Sequence, residues 1–377
     1  MATSKDNKIS LIVKNKSLDY GLLIVVLVLL AIGLVTVLSA SAHYSLRTEG
    51  DSYFYVKKQL LFAVVGIISM LIISRIDYRI LNSRISYVLL GIAFVMLCLV
   101  FVPGIGVTRN DATRWINLAG FQFQPSEIMK VAMIFFIATT ISKNPKKIKQ
   151  FWAGFVPYLV LIGAIAVLLL LEPHMSATII IAVIAIAMIF VAGAKFSHLI
   201  PIGLVGVIGA IVLAYTSEYR WKRVMIFLDP WQDARGDGYQ IIQSLYAIGS
   251  GGLFGVGLGK SVQKYLYIPE PHNDFIFAIW SEEMGLFGVI LVILLFGIFI
   301  WRGITIALKA PDMFGSLVAT GVTVMIGIQA IFSIAVVSSS MPVTGIPLPF
   351  FSYGGTALVI LLSCVGILLS VSRQSRK

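Results

Sequence analysis

The chain has 377 residues and a formal net charge of +12, with 58% hydrophobic and only 12% charged residues. A soluble domain of this length would not need such an apolar composition, so an ordinary water-soluble enzyme is excluded. Basic residues beside anionic lipid headgroups account for the charge, and we expect no nucleic acid partner. We therefore predict an all-α polytopic membrane protein.

Apolar runs long enough to cross a bilayer, about 20 residues each, recur along the chain. They predict ten transmembrane helices, at residues 18–40, 59–74, 86–102, 127–142, 154–171, 176–192, 198–215, 274–300, 314–338 and 350–371. One long loop, residues 216–273, separates the seventh helix from the eighth. The whole chain, 1–377, is predicted to be a single transmembrane domain with this one large extracytoplasmic loop.

The distribution of basic residues predicts the orientation, because Lys and Arg in short loops stay on the cytoplasmic side. Of the 29 Lys and Arg residues, 17 lie on the side of the N-terminus. The short loops on the other side contain only Arg47, Lys57, Lys58, Arg109 and Arg114. Both termini are therefore predicted to be cytoplasmic.

The loop before the fourth predicted helix, "VTRNDATRWINLAGFQFQPSEIMK", contains Arg109, Arg114, Glu127 and Lys130. Glu127 and Lys130 are three residues apart, a spacing that suits an internal ion pair on a helix. Alternatively, Arg109, Arg114 and Lys130 form an anion site for a pyrophosphate headgroup. Arg220 and Arg223 of "EYRWKR" in the long loop would belong to the same site. The residues alone leave both interpretations open.

The turn "LEPHMSAT" between the fifth and sixth helices contains Glu172 and His174. Ordinary turn polarity is one interpretation, and an additional proton carrier is the other. These two residues and His43, His198 and His272 show no metal-ligand spacing, so the residues themselves predict no metal site.

The long loop contains two distinctive stretches. In "GYQIIQSLYAIG", apolar residues at helical spacing predict an amphipathic helix, which either lies at the membrane interface or packs on the bundle as a lid. "GSGGLFGVGLGKS" differs from a phosphate-binding loop because Phe254 stands where that pattern needs glycine. It is predicted to be a close-packed turn.

Asp274 stands where the long loop meets the eighth predicted helix. It could cap that helix, or it could act as a general base at a cavity mouth. Glu282 and Glu283 should lie roughly 12 to 14 Å deeper at 1.5 Å per residue. At least one is expected to face the bundle interior and find a hydrogen-bond donor, and a protonated state is the alternative.

The stretch "SSSMPVTGIPLPFFSYGGTAL" precedes the last predicted helix. Pro342, Pro347 and Pro349 prevent a continuous helix, and the glycines permit close backbone approach. Irregular backbone at membrane depth survives only where protein buries it or a wet cavity receives it, so this segment is predicted to line a cavity. An ordinary outer turn is the alternative.

Five motifs in order, "RWI" with "FQFQPSEIMK", "GYQIIQSLYAIGSGGLFGVGLG", "PEPHNDFIFAIWSEEMG", "MPVTGIPLPFFSYGG" and a basic C-terminal tail, resemble the SEDS family of shape, elongation, division and sporulation proteins. The resemblance covers about residues 18–376 and is greatest to the FtsW and SpoVE branch, with RodA next. It implies a peptidoglycan glycosyltransferase of the bacterial cytoplasmic membrane. Such an enzyme polymerises lipid II into glycan strands at the outer face, in cell division or sporulation, and releases undecaprenyl pyrophosphate.

The resemblance also implies partners and site residues. The partners are lipid II, the nascent glycan strand, membrane lipids and a class B penicillin-binding transpeptidase. Asp274 matches the family's essential aspartate. The residues that match positions around the family's cavity are Arg109 or Arg114, Glu127, Lys130, Arg223, Pro342, Thr344, Gly345, Ser352, Tyr353, Gly354 and Gly355. Arg220 is added because it belongs to the same basic cluster in the long loop. No cofactor is evident, although a divalent cation, Mg or Mn, would help to neutralise the pyrophosphate. A lipid II flippase is the alternative function.

Overall fold

The computed structural model describes residues 18–109, 112–118 and 121–375. In these ranges an apolar helix coincides with each predicted span. Eight helices are long and apolar enough to cross a membrane, and two shorter apolar helices, Arg84–Leu99 and Met175–Val191, accompany them. The polytopic all-α fold is confirmed, whereas membrane crossing by the two shorter helices stays a prediction.

The helices in chain order are α1 Tyr20–Glu49, α2 Phe54–Ile73, α3 Arg84–Leu99, α4 Pro125–Lys143, α5 Val156–Leu171, α6 Met175–Val191, α7 Phe196–Tyr215, α8 Glu218–Leu228, α9 Tyr239–Gly251, α10 Ile276–Lys309, α11 Met313–Val337 and α12 Gly355–Gln374. Most of α11 is buried, and it packs against α4, α6 and α10, while α12 packs against α2. The exposed apolar faces of the outer helices are those that lipid would cover.

The helix α1 continues past residue 40, where its predicted span ended, to Glu49. The extension is polar, so an apolar run could not predict it. It ends at Gly50, which has a left-handed conformation with φ of 73° and donates its amide to the carbonyl of Leu46. Helix length here is therefore set by the C-cap rather than by hydropathy.

Residues between α3 and α4 form a small antiparallel sheet that the sequence analysis did not predict. Its strands are β1 Gly106–Arg109, β2 Ala112–Leu118 and β3 Phe121–Phe123, in the order β1-β2-β3. Val107 pairs with Trp115, and Ile116 pairs with Phe123. These strands are too short to register as apolar runs, but they place Arg114 at the same end of the bundle as the long loop.

The long loop contains two α-helices, α8 and α9, and a short 3₁₀ helix, Pro230–Asp233. Ile241, Ile242 and Ala247 of α9 are buried, and α9 packs against α10. The hydroxyl of Ser244 donates to the carbonyl of Val337 at 2.7 Å. Of the two predicted alternatives, the structure therefore supports a helix packed on the bundle rather than one lying in the membrane interface.

The eighth predicted span is not one continuous helix. Within α10, Gly285 has φ of 61° and ψ of −162°, which breaks the helix at that residue. Only glycine adopts this conformation readily. Residues 276–284, with Glu282 and Glu283, therefore form a short helix before the kink, and the long helix runs on to Lys309, beyond the predicted end at residue 300.

Candidate functional site

Several connections meet at one end of the bundle, around residues 342–355. The amide of Tyr353 donates to the carbonyl of His272 at 2.9 Å, and the hydroxyl of Ser176 donates to the carbonyl of Thr344. At the opposite end, Asp312 accepts hydrogen bonds from Tyr78 and Arg79. The predicted outer loops are thus close together, and they are separate from the predicted cytoplasmic ones.

Asp274 lies at this end, half-buried, two residues before α10 begins. The N-cap residue of α10 is Phe275 and no side chain among the described residues caps the helix there, so of the two interpretations of Asp274 the helix cap is wrong. Its Oδ2 atom faces Gly345 instead, which has φ of +63°. A Cβ atom at residue 345 would lie 3.2 Å from that oxygen. The Asp274 carboxyl therefore approaches residues 342–355, the proline-rich segment, at a position where glycine leaves room for it.

Burial raises the pKa of Asp274 to about 6, and the negative charge of Glu270 acts in the same direction. The positive charges of Arg114 and Arg223 oppose this increase. A general base works best when its pKa lies near the operating pH. The environment of Asp274 thus suits proton transfer near neutral pH.

Two of the predicted arginines, Arg114 and Arg223, are close enough to lower the pKa of Asp274. Both donate hydrogen bonds to backbone carbonyls. The Arg114 guanidinium donates to the carbonyl of Glu172 at 3.4 Å and to that of Pro173. Arg223 donates to the carbonyl of Val343 at 3.0 Å. The structure therefore brings Arg114 from β2 and Arg223 from α8 to the same region as Asp274.

The other two predicted arginines are not brought to Asp274 by a described contact. Arg220 donates to the carbonyl of Leu213 near the end of α7, at 3.4 Å. Arg109 is placed by its backbone alone, at the end of β1 opposite Ala112. Substrate binding by these two residues stays a prediction.

Glu127 and Lys130 form the internal ion pair that their spacing allows. Their charged atoms lie 2.7 Å apart, and the two residues are 9% and 1% exposed. Glu127 also lines a cavity of about 30 Å³, large enough for about one water molecule, with Pro347 and Ser352. Glu127 thus lies beside the proline-rich segment, and that segment lines a small cavity, as predicted.

Ser352 connects the proline-rich segment to the residue before Asp274. Its hydroxyl accepts from the amide of Leu348 at 2.9 Å and donates to the carbonyl of Asn273 at 2.8 Å. Gln59 of α2 holds the same segment, because its amide nitrogen donates to the carbonyl of Ser352 at 3.1 Å. Sequence reasoning missed Gln59, although a lone amide within an apolar run is a sign of a buried polar contact.

Tyr353 belongs to an aromatic cluster around His272 that the sequence analysis also missed. The ring of His272 lies 4.4 Å from Tyr55, 5.1 Å from Tyr44 and 5.7 Å from Tyr353, measured between centroids. Burial lowers the pKa of His272 to about 4, so its imidazole is neutral at pH 7. The cluster packs the last turns of α1 and the first turn of α2 against the residues that lead to Asp274.

The turn after α5 holds two buried groups of shifted pKa. Glu172 is 2% exposed, and neither of its carboxyl oxygens has a hydrogen-bond partner within the described ranges. Burial raises the pKa of Glu172 to about 8, and burial lowers that of His174 to about 3. At pH 7 the Glu172 carboxyl is therefore mainly protonated and the His174 imidazole is neutral. Glu172 lines a cleft of about 360 Å³ with Thr108 and Thr113.

Glu282 and Glu283 are paired with residues of the long loop, as expected for carboxylates in a bundle interior. Glu282 accepts from the hydroxyl of Ser261 at 2.5 Å and from the amide of Val262 at 2.9 Å. Glu283 accepts from Lys264 at 3.2 Å. The loop therefore supplies most of the donors, and Ser39 of α1 also donates to Glu283, at 2.5 Å. Lys264 is a buried partner that the sequence analysis did not identify.

Over the ranges that the structure describes, no group of three or more His, Cys, Asp or Glu side chains could hold a metal ion. The charges that face Asp274 are those of Glu270 and the two arginines. This arrangement can take a proton from a hydroxyl group and can stabilise negative charge on a phosphate beside it.

Comparison with known proteins gives consistent matches over nearly the whole chain. A family profile described as "Cell cycle protein" (FtsW, RodA and SpoVE) matches residues 20–377. Stage V sporulation protein E of Bacillus subtilis is 48% identical over 363 residues, which are 96% of this chain and 99% of that protein. A probable peptidoglycan glycosyltransferase FtsW of a Geobacter species is 42% identical over 358 residues, covering 95% of this chain and 97% of the relative.

Two solved structures have the same fold. One chain, from a study of a peptidoglycan synthase complex that coordinates polymerization and crosslinking, matches with a TM-score of 0.78 and 30% identity, over 96% of this chain and 99% of that one. The rod shape determining protein RodA of Thermus thermophilus matches with a TM-score of 0.71 and 27% identity, over 96% of this chain and 98% of its own.

Proposed function

The chain belongs to the cell cycle protein family of FtsW, RodA and SpoVE, and we propose that it is a peptidoglycan glycosyltransferase of the bacterial cytoplasmic membrane. The names of its FtsW relatives support this reaction class and favour it over a lipid II flippase. In our proposal both termini lie in the cytoplasm, which puts Asp274 at the outer face.

The proposed substrate is lipid II, and the proposed product is a glycan strand together with undecaprenyl pyrophosphate. Two features support this choice. Arg114 and Arg223 lie at one end of an apolar bundle, where they can face a diphosphate while the polyprenyl tail stays in the bilayer. Asp274 lies in the same region, where it can meet a sugar hydroxyl.

The proposed reaction is an inverting glycosyl transfer. Asp274 removes the proton from the 4-hydroxyl of the acceptor sugar, and the hydroxyl oxygen then bonds to the anomeric carbon of the donor chain. The bond from that carbon to the pyrophosphate oxygen breaks, and undecaprenyl pyrophosphate leaves with the electron pair. Arg114 and Arg223 stabilise the negative charge that grows on the leaving group, and this interaction strengthens in the transition state.

The observation that carries the proposal is the position of the Asp274 carboxyl. It caps no helix, it is half-buried, and it is within electrostatic reach of two arginines that backbone carbonyls hold in place. A structural aspartate would instead have its hydrogen-bonding capacity used by a helix end or an ion pair.

We propose a class B penicillin-binding transpeptidase as the partner, since the similar chain from a peptidoglycan synthase complex belongs to an assembly in which polymerization and crosslinking are coordinated. The process served is division or sporulation, because the relatives include both FtsW and a sporulation protein. A bound Mg or Mn ion would add positive charge beside the pyrophosphate. The described residues contain no cluster of side chains that would hold such an ion.

The test is reconstitution of the purified protein with lipid II in liposomes, without any other glycosyltransferase. We expect polymer and released undecaprenyl pyrophosphate from the native protein, and both at rates lower by about a hundredfold or more from Asp274→Asn. Transfer of labelled lipid II between leaflets, in the absence of polymer, would instead support the flippase.

A further inference from the structure

A stretch of 22 residues in the long loop, 238–259, contains no charged residue. Its first part is mainly α9, which packs on the bundle. Its second part is the glycine segment, residues 252–258. Several large apolar side chains of this segment are exposed. Leu253 is 58% exposed, Phe254 is 78% exposed and Leu258 is 53% exposed. A loop in water would not need such a surface, so something apolar should cover it.

The backbone of the glycine segment is hydrogen-bonded to the kink in α10. Two amides of the segment donate to carbonyls before the kink, and two amides after the kink donate to carbonyls of the segment. The pairs are Val256 to Glu282 at 3.0 Å, Gly257 to Glu283 at 3.0 Å, Leu286 to Gly252 at 2.9 Å and Phe287 to Leu253 at 3.3 Å. Irregular backbone at membrane depth requires such internal partners, and the segment has them.

Glycines allow the segment and the kink to pack backbone against backbone. A Cβ atom at Gly251 would collide with the carbonyl oxygen of Ser281, and one at Gly255 would collide with that of Glu283. A Cβ atom at Gly285 would collide with the backbone of the segment itself. The segment is therefore fixed against α10, and its depth follows that of the helix.

The exposed side chains of the segment continue an apolar face of α10. The ring of Phe254 stacks on that of Phe287, with centroids 5.2 Å apart. Phe287 is 60% exposed, and the same helix also exposes Leu291 (44%) and Leu294 (58%). Because α10 has the length and composition of a membrane span, lipid acyl chains are expected along this face. The glycine segment extends the face past the kink.

The residues after the segment have the character of a membrane boundary. Lys260 is exposed, and Tyr265 and Tyr267 are 51% and 48% exposed. Tyrosine and lysine are enriched where a protein surface passes from acyl chains to headgroups. The apolar segment is thus followed at once by residues suited to the headgroup layer.

We propose that residues 252–258 form a re-entrant anchor whose apolar side chains insert among lipid acyl chains, in the leaflet on the Asp274 side. The anchor sets the depth of the long loop in the bilayer. Lys264 lies only six residues beyond the segment and donates to Glu283 of α10 at 3.2 Å. The anchor and this contact therefore together fix the position of the part of the loop that leads to Asp274.

The test uses nitroxide labels on single cysteines in the full chain in liposomes, after Cys98→Ala and Cys364→Ala. One label is attached at Phe254→Cys, one at the exposed loop residue Arg235→Cys and one at the lipid-facing residue Leu294→Cys. Collision rates with molecular oxygen, which concentrates in lipid, and with a water-soluble nickel chelate are measured. All three positions are exposed, so the substitutions should leave the bundle core intact, and Phe254→Cys removes only the ring contact with Phe287.

We expect the ratio of oxygen to nickel collisions at residue 254 to be far above that at residue 235 and to approach that at residue 294. A ratio at residue 254 equal to that at residue 235 would place the segment in water and overturn the proposal. Protection of residue 254 from both reagents would also overturn it, because protein, for example a second copy of the chain, would then cover the segment.

Discussion

Gly345 lies directly opposite Asp274: a Cβ atom added at residue 345 would stand 3.2 Å from Oδ2 of the aspartate. Gly345 also has φ of +63°, a conformation that L side chains rarely adopt. The glycine therefore serves the carboxyl group in two ways, by leaving space and by turning the backbone.

We predict that Gly345→Ala lowers polymerisation strongly and reduces stability by roughly 1 kcal/mol, the usual penalty for a left-handed alanine. The matched control is Gly50→Ala, since Gly50 has φ of +73° but no neighbour within 4 Å of an added Cβ. The control should lose similar stability while its lipid II polymerisation rate stays native. Equal loss of activity in both variants would remove the specific role of Gly345.

Asp274→Asn should reduce the polymerisation rate by about a hundredfold to ten-thousandfold, the usual contribution of a general base. The thermal unfolding midpoint should not fall, because the carboxyl group makes no cap. Asp237→Asn, on the same loop but with an exposed side chain, is the control and should keep native activity. Glycan strands made by Asp274→Asn at the native rate would rule out Asp274 as the base.

Activity should rise with pH through about 6, because Asp274 must be ionised to accept a proton and its pKa is about 6. Arg223 lowers this pKa, so Arg223→Gln should move the half-maximal pH upward. Arg235→Gln, an exposed arginine on the same loop, should leave the profile unchanged. Initial rates between about pH 5 and about pH 8 measure the shift; an unmoved profile in Arg223→Gln would contradict the electrostatic link.

The contribution of Glu172 to stability should fall as pH rises from about 4.5 towards about 8, because buried Glu172 keeps its proton in the folded state over this range while the unfolded chain releases it. Glu172→Gln removes this titration, so it should raise the unfolding midpoint at pH 8 and change it little at pH 5. The unfolding midpoint in detergent is measured at both pH values. A Glu172→Gln protein that is less stable than native at pH 8 would show that the ionised form is stabilised instead.

Lys264→Met should destabilise the protein by about 3 to 5 kcal/mol, because it leaves the Glu283 carboxylate buried without a countercharge. The two side chains are 6% and 1% exposed, so water cannot replace the lost partner. Adding Glu283→Gln to Lys264→Met should recover part of the loss, and a double-mutant cycle of unfolding free energies measures the coupling. Additive effects of the two changes would mean that the ion pair contributes no coupling.

The sequence predicted the helices well, because each apolar run depends on the transfer free energy of its own residues and needs no knowledge of its neighbours. The same analysis missed the kink at Gly285 and the sheet from Gly106 to Phe123, since neither interrupts or creates an apolar run long enough to detect. The cap interpretation of Asp274 failed for a related reason. It relied on local spacing, whereas the carboxyl group turns to Gly345, 71 positions further along the chain.

By itself, then, the amino-acid sequence determined the membrane class, the positions of the helices and the family to which the motifs belong. Only the tertiary structure decided which polar residues share a site: Arg114 and Arg223 act on Asp274, while Glu282 and Glu283 of α10 accept hydrogen bonds from the long loop. The physical reason is that burial, pairing and shifted pKa values arise between segments that are far apart in sequence. Helix packing sets those distances, and hydropathy contains no information about them.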